Sequence, residues 1–163
     1  MNWRIPLSDI DFDQNEADAV QKVIKSRWLT MGNVTQEFET AFASYIRVKH
    51  AIAVTNATAA LHLACLVLGI GPGDEVIVPS LTFVATANAV RYVGATPVFA
   101  DIVSYDNLNI SPAAIKAQIT SRTRAIIVVH YAGYPCDMHA ILDIAKEHKL
   151  FVIEDAAHAV GSE

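Results

Sequence analysis

The sequence predicts an α/β protein, a three-layer α/β/α arrangement around a mostly parallel sheet. Three observations predict it. From residue 51 onward, short apolar runs alternate with segments of helical period, and that alternation implies right-handed crossovers between parallel strands. The strand candidates are apolar along most of their length, as strands covered on both faces are. Hydrophobic residues make up 53% of the 163 positions and charged residues only 18%, a more apolar balance than an average soluble domain has. The length leaves room for one ordinary domain and its core. The apolar surplus has two readings: a sheet buried on both faces, or a surface that meets further protein.

Residues 1–50 read as an N-terminal helical arm. Asp13–Lys25 carries apolar residues at 17, 20, 23 and 24, with acidic residues early and lysine late, a helical period that complements the helix dipole. Trp28-Leu29-Thr30-Met31-Gly32 breaks the pattern. A second helix follows, with Phe38, Phe42, Tyr45 and Ile46 on one face. Residues 51–163 read as an α/β domain. Its expected strands are Ala51–Thr55, Glu75–Val78, Thr96–Ala100, Ala125–Val129 and Leu150–Ile153. The expected helices are Thr58–Leu68, Thr82–Val93, Pro112–Ile119 and Met138–His148, the last two capped by Ser111 and Asp137.

Charge and cysteine usage narrow the function classes. The net charge is −5 and no block of Lys or Arg occurs, so neither a nucleic-acid nor an anionic-membrane surface is expected. The longest apolar run, Ala59–Ile70, contains His62 and is too short to span a bilayer. The first residues lack the apolar stretch of a secretory leader. Cys65 and Cys136 share no metal-ligand spacing, and reduced thiols in a cytoplasmic protein are expected. Asn33, Asn56 and Asn109 head N-x-S/T triplets, which without a secretory signal are chance matches.

The candidate chemistry gathers at the C-terminal ends of the expected strands, where open α/β sheets place ligands. Phe151-Val152-Ile153 runs directly into Glu154 and Asp155, with His158 three residues on. A carboxylate at the mouth of an apolar strand calls for a cationic partner, because burying an unpaired charge is costly. No Arg or Lys lies within five residues of Asp155, and a protonated ring nitrogen of a cofactor would serve. Thr55–Leu61 ends a strand and opens a helix in small residues, either an anion site at a helix N-terminus or a plain N-cap. It matches neither a P-loop nor a dinucleotide fingerprint. Phe83 opens the next helix, where an aromatic stacks on a flat ring or packs in the core. His130-Tyr131-Ala132-Gly133-Tyr134 suits either a substrate pocket or an ordinary turn. His130, His158 and Asp155 form no recognised metal spacing, so no metal is expected. An anion site, an aromatic face and a buried carboxylate together fit pyridoxal 5'-phosphate, whose ring acts as an electron sink when its nitrogen is protonated.

These stretches also resemble the nucleotide-sugar aminotransferases of the DegT/StrS family. The likeness runs through Trp28–Gly32, His50–Leu61, Gly71–Phe83, Gly94–Val98, Val129–Gly133 and Ile153–Ala159. The resemblance implies the large domain of a fold type I pyridoxal-phosphate enzyme. It implies phosphate binding by Thr58 and Ala59, ring stacking by Phe83, and pairing of Asp155 with the pyridine nitrogen. His158 would lie near the ring's phenolic oxygen, while Thr30, Met31, Gly32, His130 and Tyr131 would line the substrate side. The implied reaction moves an amino group, from glutamate as donor, to a nucleotide-linked keto sugar for lipopolysaccharide, polysaccharide or antibiotic-sugar synthesis, in a homodimer. Family members hold the cofactor as a Schiff base on a lysine of a Ser-x-x-Lys segment. None of Lys22, Lys25, Lys49, Lys116, Lys146 and Lys149 matches that position. A truncated portion is therefore expected, with the large domain incomplete and the C-terminal small domain absent. Two alternatives accompany it: a remnant without activity of its own, and a dehydratase-like relative in which histidine replaces the lysine.

Overall fold

The computed structural model describes residues 10–162, with Met1–Asp9 of the expected arm and Glu163 outside the described residues. The chain divides into two compact units, Met1–Ala53 and Val54–Glu163.

The first unit holds two helices, α1 (Gln14–Ser26) and α2 (Asn33–Tyr45). Asp13 caps α1 reciprocally: its carboxylate accepts from the Asn15 N–H at 2.7 Å, and Glu16 accepts from the Asp13 N–H at 2.8 Å. The apolar stripe of α1 buries none of its residues within the unit. In α2, Phe38 and Phe42 place their rings 5.6 Å apart, and Ala43 is buried. The Trp28 indole donates to the Met31 carbonyl at 3.1 Å. A Cβ at position 32 would collide with that indole, which explains the glycine there.

The second unit is built on a parallel sheet of β1 (Glu75–Pro79), β2 (Thr96–Ala100), β5 (Thr123–Val129) and β6 (Phe151–Asp155), in the order β2-β1-β5-β6. Helices α3 (Ala57–Val67) and α4 (Val84–Tyr92) cover one face, burying Leu61, Cys65 and Ala89 against Val76, Val78 and Ile153. Helices α5 (Pro112–Gln118) and α6 (Met138–His148) cover the other, burying Ile115 and Ile141 against Ile77 and Ile126. Every residue of β1 is buried, as a strand covered on both faces requires. Truncating a fully buried isoleucine such as Ile77 or Ile126 costs about 2–5 kcal/mol.

Four local expectations are corrected. Ala51–Thr55 is not a strand: it has no ladder partner among the described residues, and the Ala53 N–H donates instead to the Glu39 carboxylate at 2.7 Å. Helix α4 starts at Val84, not Thr82, and Phe83 is its extended N-cap rather than a first-turn residue. The Ser80 N–H still bonds the Ala100 carbonyl at 2.8 Å, which carries the strand connection further before the helix turns. An antiparallel hairpin, β3 (Ile102–Ser104) with β4 (Asn107–Ile110), joins β2 to α5 where only a connection was expected. Strand β6 also extends two residues past its expected end, because Glu154 and Asp155 pair with Val128 and Val129 of β5.

Candidate active site

Asp155 ends β6, two residues beyond Ile153 and therefore on the α3/α4 face of the sheet. A hydrogen-bond relay approaches it from α4. The buried Thr86 hydroxyl donates to Asp155 Oδ2 at 3.0 Å, and the Thr82 and Thr86 oxygens lie 2.8 Å apart. A hydroxyl has one hydrogen to give, so Thr86 spends its own on Asp155 and accepts from Thr82. Asp155 Oδ1 accepts a longer bond, 3.4 Å, from the Ala157 N–H. Among the described residues, no cationic side chain forms an ion pair with this half-buried carboxylate.

Asp155 lines a cavity of about 290 Å³ shared with Thr58, Phe83, Tyr131, Ala157 and His158. Phe83 lines it and is 73% exposed, available to a ligand rather than spent on the core. His158 is exposed, and its ring makes no hydrogen bond among the described residues. At the N-terminus of α3, Asn56 Oδ1 caps the Ala59 N–H at 2.9 Å and the Asn56 carbonyl takes the Ala60 N–H. The N–H groups of Ala57 and Thr58 keep no protein acceptor among the described residues. A phosphate would meet those two amides and the Thr58 hydroxyl with the helix dipole behind them.

The structure therefore brings Thr58, Phe83, Tyr131, Asp155 and His158 together. Ala59 is not among the residues that line the cavity, and its amide is taken by the N-cap. The His130 side chain is also spent elsewhere. It is buried, its Nδ1 accepts from the Cys136 N–H at 3.1 Å, and its Nε2 lies 3.0 Å from Glu154 Oε2. Since Nδ1 accepts, Nε2 carries the proton and donates to Glu154. Cys136 is packed beneath the same loop, where burial pushes its thiol up to about 11. Thr30, Met31 and Gly32 belong to the first unit; Thr30 and Gly32 line a cavity there beside Trp28, while Met31 accepts the Trp28 indole N–H on its carbonyl.

Thr86 escaped the sequence reading because a small residue inside an apolar helix looks like core. The pairing of Thr82, just before the N-cap, with Thr86 in the first turn of that helix was the available signal. No group of three or more His, Cys, Asp or Glu that could hold a metal occurs among the described residues.

Comparison with known proteins identifies the family and the fold. The family model described as "DegT/DnrJ/EryC1/StrS aminotransferase family" matches residues 10–163. GDP-perosamine synthase of Caulobacter vibrioides is 52% identical over 160 residues, covering 98% of this chain and 43% of that protein. Spore coat polysaccharide biosynthesis protein SpsC of Bacillus subtilis is 50% identical over 159 residues, covering 98% of this chain and 41% of that protein. The chain thus spans less than half the length of these relatives. The solved structure of NtdA from Bacillus subtilis with bound cofactor PMP superposes with a TM-score of 0.86 at 34% identity, covering 91% of this chain and 34% of that one. A family match across nearly the whole chain, joined to a parallel sheet whose last strand delivers Asp155 into a cavity, makes this chain a member of the DegT/DnrJ/EryC1/StrS aminotransferase family.

Proposed function

We propose that this chain is the cofactor-binding portion of a pyridoxal-phosphate-dependent aminotransferase acting on a nucleotide-linked keto sugar. The observation that carries the reading is Asp155: a half-buried carboxylate at a cavity, supplied with neutral donors and no cation. A pyridinium N–H supplies the missing charge, and the two free amides of α3 supply a phosphate cradle. When bound, pyridoxal phosphate supplies an electron sink for carbanion chemistry. The chain's residues do the rest. Thr86 fixes the rotamer of Asp155, and Asp155 holds a proton on the ring nitrogen. Phe83 covers one face of the ring and excludes water from it. His158, beside Asp155 on the cavity wall, offers a hydrogen bond to the ring's oxygen substituent.

The sugar class rests on GDP-perosamine synthase and the polysaccharide protein among the relatives. Glutamate as donor, a homodimeric assembly, a cytoplasmic location and a lipopolysaccharide, polysaccharide or antibiotic-sugar product belong to the same proposal. So does the organisation into an arm over residues 1–50 and part of a cofactor-binding domain over 51–163. Among the described residues, no helix is long and apolar enough to cross a membrane.

No lysine lines the Asp155 cavity; Lys146 and Lys149 lie at the C-terminal end of α6, which leads into the opposite end of β6. This favours a second reading, in which the chain alone holds the cofactor without turning it over. The test is a titration with pyridoxal phosphate followed by borohydride and peptide mapping. Saturable binding that Asp155→Ala weakens, with no lysine of this chain labelled, supports the proposal. Equal binding by wild type and Asp155→Ala defeats the role given to Asp155. A single labelled lysine within the chain defeats the view that the covalent anchor comes from elsewhere in the whole protein.

A further inference from the structure

The loop after β5 is held by a side chain from outside it. Asn109, near the end of β4, is 5% exposed. Its Oδ1 accepts from the Tyr131 N–H at 3.1 Å, and its Nδ2 donates to the carbonyls of Tyr134 at 3.1 Å and Pro135 at 3.0 Å. Both amide hydrogens are used, and all three partners are backbone groups of one five-residue stretch. The stretch itself is sharply bent, with Ala132 at φ 52° and Gly133 at φ 88°. A Cβ on Gly133 would come within 3.1 Å of the His158 carbonyl, so the loop also lies close against the segment that follows Asp155.

Tyr131 is the residue this arrangement places. It lines the Asp155 cavity and also a second cavity of about 440 Å³, walled on its other side by Tyr105, Asp106, Asn107 and Tyr134. Tyr105 is 97% exposed. The second cavity therefore presents aromatic rings and amide or carboxylate groups directly across Tyr131 from the proposed ring site.

We propose that Asn109 is a positioning residue: by its three backbone bonds it fixes Tyr131 as the partition between the two cavities, and so sets how the substrate seats beside Asp155. This rests on the amino-transfer reading above. Asn109→Asp is the sharp probe. It keeps an oxygen for the Tyr131 N–H but turns a carboxylate oxygen toward two carbonyls, which unfastens the loop at unchanged volume.

The test combines amide exchange of this protein with steady-state kinetics in the whole enzyme, using as substrate the keto sugar nucleotide that amino transfer would convert into GDP-perosamine. In Asn109→Asp, exchange at the Tyr131 amide should speed up about tenfold or more. The Cys136 amide, held by His130, and the β5 amides should keep their protection. KM for the keto sugar should rise about tenfold with kcat within about threefold, and pyridoxal-phosphate affinity should stay within about twofold. Tyr131→Ala leaves the carboxamide bonds in place, so it should reproduce the KM rise without the exchange change.

Unchanged exchange at Tyr131 in Asn109→Asp overturns the proposal. So does a uniform loss of protection together with cofactor affinity, which would make Asn109 a folding residue only. Wild-type KM in Tyr131→Ala overturns it as well, and that variant decides the matter should Asn109→Asp not fold. If the wild type transfers no amino group, the amino-transfer reading fails by itself, and the exchange result still decides whether Asn109 holds the loop.

Discussion

The two ends of the sheet treat a carboxylate in opposite ways. At the N-terminal end, Glu75 opens β1 and is closed on every side. The Arg122 guanidinium donates through Nη2 and, at 3.0 Å, through Nε, and the Thr120 hydroxyl donates to the other oxygen. That hydroxyl also accepts the Arg122 N–H at 3.0 Å, so the pair sits in a pinned turn. At the C-terminal end, Asp155 closes β6 with a threonine and one long backbone bond, and it faces a cavity. Both carboxylates belong to apolar strands. One has its cation within the fold, and the other has none among the described residues. The first arrangement serves folding. The second leaves a charge that a ligand can complete, and the desolvation already incurred at Asp155 is what a cationic ring would recover.

Four substitutions or conditions break or sharpen this contrast. The largest effect is expected from Asp155→Asn, which keeps the shape and removes the charge. Cofactor affinity and turnover in the whole enzyme should fall by about 10²-fold, the scale of about 2–5 kcal/mol for losing one partner of a buried charge pair. The melting temperature should barely move, as checked by parallel calorimetry and cofactor titration. Glu75→Ala should do the reverse: Tm drops, because Arg122 and Thr120 lose their shared acceptor, while cofactor affinity in the folded protein is unchanged.

Phe83→Ala comes next. The exposed ring contributes little to the core, so cofactor affinity should weaken by about 1–2 kcal/mol with stability nearly intact. A lower Tm with an unchanged dissociation constant would assign Phe83 to packing instead.

The smallest effect is the acid limb of stability. The Thr120 hydroxyl, and after it the Arg122 guanidinium, hold the Glu75 carboxyl below its ordinary range. A carboxyl depressed in the folded state adds stability that is complete above its unfolded value of about 4.3. That contribution is lost as pH falls through the lower folded value. Denaturant midpoints measured across that acid window should fall more steeply for wild type than for Glu75→Gln. Parallel slopes would remove Glu75 from the account.

The Asp155 half of this contrast was legible in the sequence and the Glu75 half was not, for physical reasons that differ by element. Helix α6 was read to the residue because Asp137 caps it and apolar residues recur at helical spacing. Helix α5 was readable from Ser111 followed by Pro112. Asp155 stood out because two carboxylates ending an apolar run contradict a plain core strand. Ala51–Thr55 misled because its short apolar run has strand form, yet a strand exists only where a partner ladder does. The β3–β4 hairpin was hidden by half-polar residues such as Ser104, Asp106 and Asn107, which bury little. His130 read as a pocket residue from its loop, and only the fold shows its ring turned to Cys136 and Glu154. Asn109 and Thr86 were silent for a related reason. Their roles lie in bonds to residues 22 and 69 positions away, and no local pattern carries such a bond.

The central claim is that Asp155 keeps a proton on a bound pyridine nitrogen. The most direct measurement is the ¹⁵N NMR shift of pyridoxal phosphate labelled at the ring nitrogen, bound to wild-type and Asp155→Asn protein. The account predicts a protonated nitrogen in the wild type and an unprotonated one in the variant. The same ring-nitrogen state in both would contradict it, and the carboxylate at the end of β6 would then need another partner.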